Sequence, residues 1–362
     1  MELSIVDSLD CVSAEDFDRL DSSAGSAACY QRTRQRERDG RWRCRYLHAT
    51  DGGRLIAMVP LYTANGRGWP DPAYDPSGWE LPPALKGDYS PGDCLLVGGF
   101  ADLRTGFAVA EQAREPAVLG QLLAGIARLA AEQDRCLVFP YLLPDAQPAV
   151  TAATAGRIGW APLAREARLS RVTDADWYAS MPGEVRRNLR RDQKLIAAAE
   201  IVPSRHSWPE VEELASELIA EHNLALGRFD HAEFVKLRNR EWDACPGVEL
   251  TVFGASTASV TGFLTALIWR DRLEAYEIGL RGEHGPQRFA AYLDLVFYQP
   301  LRTARAAGLT DIRLGVTSER VKAGRGAVFA DLRGGLLSLS DTNCLAEQAP
   351  AALPENRNGE LR

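Results

Sequence analysis

The residues that decide the fold run from Val260 to Val316: VTGFLTALIWRDRLEAYEIGLRGEHGPQRFAAYLDLVFYQPLRTARAAGLTDIRLGV. The stretch begins with two apolar runs, Gly262–Trp269 (GFLTALIW) and Arg272–Leu280 (RLEAYEIGL), which flank the dipeptide Arg270-Asp271. Two such runs around a short polar pair predict two antiparallel strands joined by a tight turn.

A long helix is predicted to follow this hairpin. The segment Arg281–Pro286 (RGEHGP) is rich in glycine and breaks the strand pattern, and Gly308 is a helix stop signal before a last predicted strand, Thr310–Val316. Between them, apolar residues recur at helical spacing at Phe289, Leu293, Val296, Phe297, Leu301 and Ala304. The N-terminus of a helix that joins two strands can hold an anion, so we expect the chemistry here.

Composition limits the function classes. The chain has 362 residues, enough for two domains, and its 46% apolar and 25% charged fractions are typical of a soluble globular protein. The net charge of −7 gives no overall basis for nucleic-acid binding, although an acidic total can still carry a local basic patch. We therefore expect no DNA partner.

The seven cysteines are scattered, with no CxxC pair and no histidine at ligand spacing from a cysteine. This pattern predicts no metal site and favours reduced, mostly buried thiols in a cytoplasmic protein. The N-terminus has no basic segment followed by an apolar run, and no stretch approaches the length of a membrane helix. We expect a cytoplasmic protein that does not insert into a membrane.

The first half of the chain repeats the element order of the second. Strands are predicted around the turn Asp51-Gly52-Gly53, then an irregular stretch over 65–93, then a strand, a helix and a strand. The predicted elements are Trp42–His48, Arg54–Tyr62, Cys94–Gly98, the helix Pro116–Gln133 and Leu137–Tyr141. We predict an N-terminal α/β unit over 1–165, a C-terminal unit over 166–340 and a flexible tail over 341–362, each unit a mixed twisted sheet flanked by helices.

The most distinctive local motif lies between the units, Ser180–Ala199 (SMPGEVRRNLRRDQKLIAAA). One face of the predicted helix is apolar, and the other carries a stripe of cations: Arg186, Arg187, Arg190, Arg191 and Lys194. Such a stripe can be a solvated face balanced by nearby acids. The cations outnumber Glu184 and Asp192 in a net acidic protein, which favours anion binding, with phosphates as the expected partner.

This helix, with its Met-Pro-x-x-x-Arg-Arg-Asn-Leu-Arg-Arg pattern, resembles the opening of the acyltransferase domain of Fem-like members of the GNAT superfamily. The resemblance continues through Arg228-Phe229, the hairpin Val260–Leu280, and Leu314-Gly315-Val316 followed by Lys322 and Gly326-Ala327. It covers about residues 175–336, and Leu55–Tyr62 also resembles the early strand of these proteins.

The resemblance implies a pair of GNAT-type units, one of them often degenerate, and transfer of an acyl group to an amine. GNAT proteins generally take the group from acyl-CoA. The Fem branch uses aminoacyl-tRNA to extend peptide bridges of cell-wall precursors, and other relatives acylate small molecules or peptides in natural-product pathways. The segment Arg281–Gln287 keeps glycines but not the usual spacing of the GNAT phosphate loop, and no segment can form the helical arm usual in Fem-type enzymes.

An amine that attacks a thioester or ester needs a proton acceptor, a donor to the developing oxyanion and a proton for the leaving group. In a GNAT-like fold the strand Arg272–Leu280 parts from its neighbour, which implies an oxyanion donor near Ile278 and Gly279. Alternation places Glu274 and Glu277 on opposite faces, so only one can face the substrate. The catalytic candidates are Glu277 as base, Tyr292 and Tyr298 as acids, and Gly279.

Two further sets of candidates complete the expected site. Donor-binding residues are predicted in the glycine-rich loop: Arg281, His284, Gly285, Gln287 and Arg288. Residues expected to bind the acceptor or a phosphate are Arg187, Arg191, Lys194, His222, Arg228, His231 and Lys322. The catalytic and binding candidates also have structural interpretations. The glutamates can be surface carboxylates, the tyrosines can be packing residues, and the histidines can cap helix ends.

Three functions follow from these expectations. The first is an N-acyltransferase that uses acyl-CoA, with an amine of a small molecule or peptide as acceptor, in natural-product or cell-wall metabolism. The second is a Fem-like transferase with aminoacyl-tRNA as donor. The third is a non-catalytic module that binds a peptide or precursor. The first is preferred because neither a tRNA-binding arm nor a basic surface is evident.

Overall fold

The computed structural model describes residues 1–20, 24–101, 103–227, 230–349 and 355–356. The strands are β1 (Glu2–Val6), β2 (Trp42–Asp51), β3 (Arg54–Ala64), β4 (Cys94–Val97), β5 (Gly99–Ala101), β6 (Arg104–Gly106), β7 (Ala108–Val109), β8 (Cys136–Leu142), β9 (Gly159–Leu169), β10 (Val202–His206), β11 (Val248–Ser256), β12 (Thr261–Trp269), β13 (Arg272–Arg281), β14 (Asp311–Gly315), β15 (Val328–Leu337) and β16 (Glu355–Asn356).

The α-helices are α1 (Ala14–Asp18), α2 (Tyr30–Arg38), α3 (Pro116–Ala131), α4 (Gln147–Ala153), α5 (Trp177–Ser180), α6 (Gly183–Ala198), α7 (Trp208–Ala225), α8 (Ala232–Asp243), α9 (Pro286–Leu293), α10 (Gln299–Ala307), α11 (Glu319–Ala323) and α12 (Leu339–Ala346). The chain divides into two compact units: unit 1 comprises residues 1–164 with those after 330, and unit 2 comprises 165–330.

The sheet of unit 1 is mixed. β1, β2, β3 and β4 follow one another with antiparallel pairing, and β8 then lies parallel to β4. Helix α3 makes the connection that a parallel pair requires. Its apolar side, with Leu122, Leu123 and Ile126 fully buried, packs into the core of the unit. Each such leucine contributes about 1.5–3 kcal/mol through burial.

Residues 331–346 belong to unit 1, which differs from the predicted boundaries. β15 pairs antiparallel with β8 through Arg333–Leu337, and Leu345 of α12 is buried in the unit 1 core. Residues 331–340 therefore belong to unit 1 and not to unit 2, and residues 341–346 are helical and not a flexible tail. The prediction of a flexible tail was wrong because the segment around Leu345 has too few apolar residues for a helix to be evident from the sequence. Its burial becomes clear only from its packing against unit 1. Residues 350–354 and 357–362 lie outside the described part of the chain.

Unit 2 has the same order of pairing as unit 1. β11, β12 and β13 form an antiparallel meander, β14 lies parallel to β13, and the outer strands β10 and β9 pair antiparallel with β11 and β14. The predicted repeat of one α/β unit is thus present in the strand order. The predicted hairpin, crossover helix and final strand of the Val260–Val316 stretch are all observed.

The crossover helix of unit 2 is interrupted. α9 and α10 are separated by a π-helical turn, Asp294–Tyr298, instead of forming the single α-helix that the spacing predicts. The carboxylate of Asp294 is buried and accepts hydrogen bonds from Gln299 and Arg302, and Gln299 also donates to the carbonyl of Gly254 on β11. A side chain that bonds across to the sheet is a physical reason for the extra residue in this turn.

Candidate functional site

β13 and β14 are paired over only part of their length. The parallel register joins Arg272 to Asp311, Leu273 to Ile312 and Glu274 to Arg313, whereas β13 continues to Arg281. β12 accompanies β13 along its full length on the other side. Among the described residues, no other strand pairs with residues 275–281 on the side that β14 leaves, so this side of β13 is a free edge. This is the parting of strands expected for this hairpin.

A β-bulge lies at the point of parting. In the register with β12, Ala275 lies opposite Ala266 and Glu277 opposite Thr265, so Tyr276 is the extra residue. Glu274 lies opposite Leu267, two residues from Thr265, and the bulge thus brings Glu274 and Glu277 to the same face. The expectation of opposite faces was wrong because simple alternation does not count a bulged residue.

The bulge also determines where the backbone groups point. The N–H of Glu277 donates to Oγ1 of Thr265 on β12, at 3.1 Å. Backbone groups alternate in direction along a strand, so those of Ile278 point to the free edge and those of Gly279 back to β12. This geometry favours Ile278 over Gly279 as a donor to a ligand.

Gly279 is needed for packing. An ideal Cβ at this position would lie 2.4 Å from backbone atoms of Leu218 and Ile219 on α7. Real Cβ atoms do not approach backbone so closely, so only glycine allows α7 to lie this near the strand.

Glu277 is held in a partly buried ionic network. Its carboxylate accepts hydrogen bonds from Nε of Arg238 at 2.7 Å and Nδ2 of Asn239 at 2.9 Å, both on α8. Arg238 also donates two hydrogen bonds to Asp230. Burial raises the pKa of Glu277 above its usual range although Arg238 opposes the shift. Burial also acts to raise the pKa of Asp230, but hydrogen bonds from Arg238 and Asn223 lower it.

The two candidate tyrosines have different surroundings. The hydroxyl of Tyr298 donates to Oδ2 of Asp192 at 3.1 Å, inside the packing between α6 and the crossover helix, and burial raises its pKa. Tyr292 is only partly buried, stacks on Phe289 and hydrogen-bonds Ser318, and burial raises its pKa as well. Tyr292 is thus the more accessible of the two phenols.

Asp192 is the centre of a second buried network that was not expected. Arg325 donates to both of its carboxylate oxygens, from Nε at 2.7 Å and Nη2 at 2.8 Å. The sequence contains a signal for this pair, since Asp192 lies on the same helical face as Val185, Leu189 and Ile196. An acid on an apolar face indicates a buried cationic partner.

The glycine-rich loop joins β13 to α9. Gly282 has φ +131°, and Gly285 is the N-cap before Pro286, which occupies the first helical turn. Arg288 donates from Nη2 to the carbonyl of Leu280 and has Nη1 within 3.1 Å of His284 Nδ1, while its buried Nε has no hydrogen-bond partner within the described residues. Arg281 pairs with Glu221 of α7. Gln287 accepts a hydrogen bond from Ser259.

The cationic stripe of α6 is exposed, apart from the half-buried Arg186. In the part of the chain that the structure describes, no carboxylate forms an ion pair with its exposed members: Arg187, Arg190, Arg191 and Lys194. Among the described residues, nearby acids therefore do not balance the charge of these exposed cations. Asp192, the acid within the run, points inwards to Arg325.

The remaining candidates do not gather at one point. His231 is the N-cap of α8, where its Nδ1 accepts from the N–H of Glu233 at 3.3 Å, and His222 is half-buried in the last turn of α7. Arg228 lies outside the described residues. Lys322 is buried, and its Nζ donates to the carbonyls of Leu314 and Gly315 at the end of β14. Burial lowers the pKa of Lys322 to about 8.

Within the described ranges, no group of three or more His, Cys, Asp or Glu side chains is placed to hold a metal ion. No helix in the same ranges is both long enough and apolar enough to cross a membrane.

Comparison with known proteins shows similarity of fold without similarity of sequence. No known family model matches the chain, and no curated protein matches it. Among solved structures, FemX is similar with a TM-score of 0.60 and 10% identity, covering 96% of this chain and 100% of that one. The C-terminal domain of a putative lysylphosphatidylglycerol synthetase from Agrobacterium fabrum has a TM-score of 0.53 and 12% identity, covering 92% and 95%.

A tandem GNAT protein from the clavulanic acid biosynthesis pathway is also similar, with a TM-score of 0.51 and 15% identity, covering 92% of this chain and 98% of that one. At these identities the likeness concerns the fold alone. It extends over nearly the whole chain in each case, and it agrees with the repeated strand order of the two units. The chain therefore has the Fem-like tandem GNAT fold.

Proposed function

We propose that the protein is a GNAT-type acyltransferase that moves an acyl group from acyl-CoA to an amine of a small molecule or peptide. The observation that carries this proposal is the free edge of residues 275–281, where β14 leaves β13 beside the start of α9. A free edge offers backbone N–H groups without a partner strand, and such groups can bind a carbonyl oxygen.

The donor phosphates would bind at the loop before α9. The first N–H groups of a helix lack partners within the helix, and its N-terminus favours negative charge. Arg288 adds a guanidinium whose buried Nε has no partner among the described residues, with His284, Gly285 and Gln287 beside it. Arg281 contributes less because it is already paired with Glu221.

The chain's own residues can supply each part of acyl transfer. The amine nitrogen attacks the thioester carbonyl carbon, the Ile278 N–H donates to the oxygen that becomes negative, and the C–S bond then breaks. Glu277 would accept the amine proton, because its raised pKa favours the protonated form and Arg238 and Asn239 fix its position. Tyr292 would protonate the leaving thiolate, since the proton of Tyr298 is held by Asp192.

Aminoacyl-tRNA is the second candidate donor. The exposed stripe of α6, with no ion-pair partners within the described ranges, supports it, because unpaired arginines at helical spacing can bind successive phosphates. Because acyl-CoA and charged tRNA are both found in the cytoplasm, we propose that the reaction takes place there with either donor. The acceptor amine would belong to natural-product or cell-wall metabolism.

The test is mass spectrometry of the purified protein with a panel of acyl-CoAs and amines, and separately with charged tRNA. Thiol release coupled to acylation of an amine supports the first donor, and transfer that RNase abolishes supports the second. Binding of peptides or precursors without turnover of either donor would instead identify a non-catalytic module. The Glu277→Gln variant, which keeps the shape of the side chain, should lose most of the transfer rate.

A further inference from the structure

Unit 1 contains a cavity of about 200 Å³ on the sheet face beneath the C-terminal end of α3. Its floor is apolar and consists of Leu61 of β3, Leu95 of β4 and Leu129 of α3, all fully buried. The predicted donor site is built entirely from residues of unit 2, so it does not explain this cavity.

The wall of the cavity is strongly basic. Arg43 and Arg45 alternate along β2, which places both side chains on one face of the sheet, and Arg135 stands just before β8. Arg45 is paired with Asp7, at 2.9 Å from Nε to Oδ1. In the described part of the chain, neither Arg43 nor Arg135 has a carboxylate partner, and no acidic side chain lines the cavity.

Arg135 contributes a buried hydrogen-bond donor to this cavity. Its Nε is buried and has no hydrogen-bond partner within the described residues. A buried donor of this kind destabilises the folded protein when it is left unsatisfied. Burial lowers the pKa of Arg135 and the nearby charge of Arg43 lowers it further, whereas Cys94 and Asp93 act in the opposite direction. An anion between the two guanidiniums would satisfy the free donor and reduce their mutual repulsion.

We propose that this cavity binds a small organic anion, whose carboxylate or phosphate pairs with Arg43 and Arg135 and whose short apolar part contacts the three leucines. Guanidinium groups match both kinds of oxyanion through two parallel hydrogen bonds. A pocket with an apolar floor and a few converging polar groups is the usual form of a small-molecule site. The volume fits a short organic anion. All lining residues belong to unit 1, whereas the proposed donor site consists of residues of unit 2, so the two sites are separate.

The proposal is tested on the full-length protein by calorimetric titration with hexanoate, hexyl phosphate, inorganic phosphate and hexanol. We expect hexanoate or hexyl phosphate to bind more tightly than inorganic phosphate, and hexanol not to bind. The tighter of the two organic anions identifies the head group. Arg135→Met should weaken that binding at least tenfold, and Arg43→Met, at an exposed position, should do the same. Arg54→Met, at the far end of β3, is the matched control and should bind as the wild type does.

Thermal melting of each variant shows whether it is folded. If Arg135→Met does not fold, Arg43→Met decides the outcome. The proposal is overturned if neither organic anion binds at millimolar concentration, if hexanol binds equally well, or if the folded arginine variants bind as tightly as Arg54→Met. Because the readout is binding in unit 1, the result does not depend on whether the transferase proposal holds.

Discussion

Glu274 and Arg313 form the last pair of residues at which β13 and β14 remain together. Their backbones are in register there, and their side chains form an ion pair with 3.8 Å between Oε1 and Nη1. Both side chains are buried, with 1% and 4% of their residues' surfaces exposed. Beyond this pair the strands separate, so the pair fixes the point at which the free edge begins.

Removing one member of this pair should be costly. Arg313→Met leaves Glu274 as a buried charge without this partner, and we expect the free energy of unfolding to fall by about 3–5 kcal/mol. The double variant Glu274→Leu/Arg313→Met should recover most of the loss, because an apolar pair of similar volume replaces the charges. Urea denaturation of the three proteins measures both effects. A single variant within about 1 kcal/mol of the wild type would show that the pair does not fix the strands.

Gly279 should not tolerate even a methyl group. The Cβ of Gly279→Ala would meet the backbone of α7, so we expect a loss of about 1–3 kcal/mol in the free energy of unfolding. Gly120→Ala is the matched control, since nothing lies within 4 Å of a Cβ at this position of α3. Alanine there should stabilise by up to about 1 kcal/mol. Equal effects of the two substitutions in chemical denaturation would contradict the close packing of α7.

The stripe on α6 should affect binding far more than stability. Arg187→Glu/Arg191→Glu changes two exposed side chains without ion-pair partners in the described ranges, so the melting temperature should change little. Donor or acceptor binding should weaken at least tenfold, and the dependence of binding on salt should become shallower. The control is a charge reversal in unit 1, Arg54→Glu. If melting temperature and binding fall together, the stripe has a structural role only.

Lys322 should make stability depend on pH in alkaline solution. Its pKa is lowered by burial from 10.5 to about 8 in the folded protein. Between these two values the unfolded chain binds more protons than the folded one, so stability rises as the pH increases through this window. The shift corresponds to at most about 3 kcal/mol. Lys322→Met should show a flatter curve between pH 8 and 10.5 in urea denaturation. A wild-type curve no steeper than that of the variant would contradict the assignment.

Periodicity was enough to predict the framework of both units. The apolar runs and turns of Val260–Val316 predicted the hairpin, crossover helix and parallel strand of unit 2. The same order of elements in the first half of the chain predicted unit 1. Patterns of this kind work because each element buries one face, and burial imposes a period of two or 3.6 on the sequence.

The site could not be derived in the same way because it depends on tertiary contacts. Nothing in the sequence RLEAYEIGL indicates that Tyr276 is bulged, and the bulge alone decides that Glu274 and Glu277 share a face. The close approach of α7 to Gly279 and the capture of Glu277 by Arg238 join residues far apart in the chain. The network of Asp192 was also missed, although the position of Asp192 on the apolar face of α6 is a signal that could have indicated a buried partner.

The most direct test of the proposed function is hydrogen exchange at the backbone amides of residues 275–281, measured with and without an acyl-CoA that the protein turns over. The free edge predicts fast exchange at Ile278 without donor, and strong protection of Ile278 and the first turn of α9 when the donor is bound. Exchange along β11 should not change. If Ile278 is as protected as β11 without a donor, or if a donor is turned over without protecting residues 275–281, the carbonyl does not bind where β13 and β14 part.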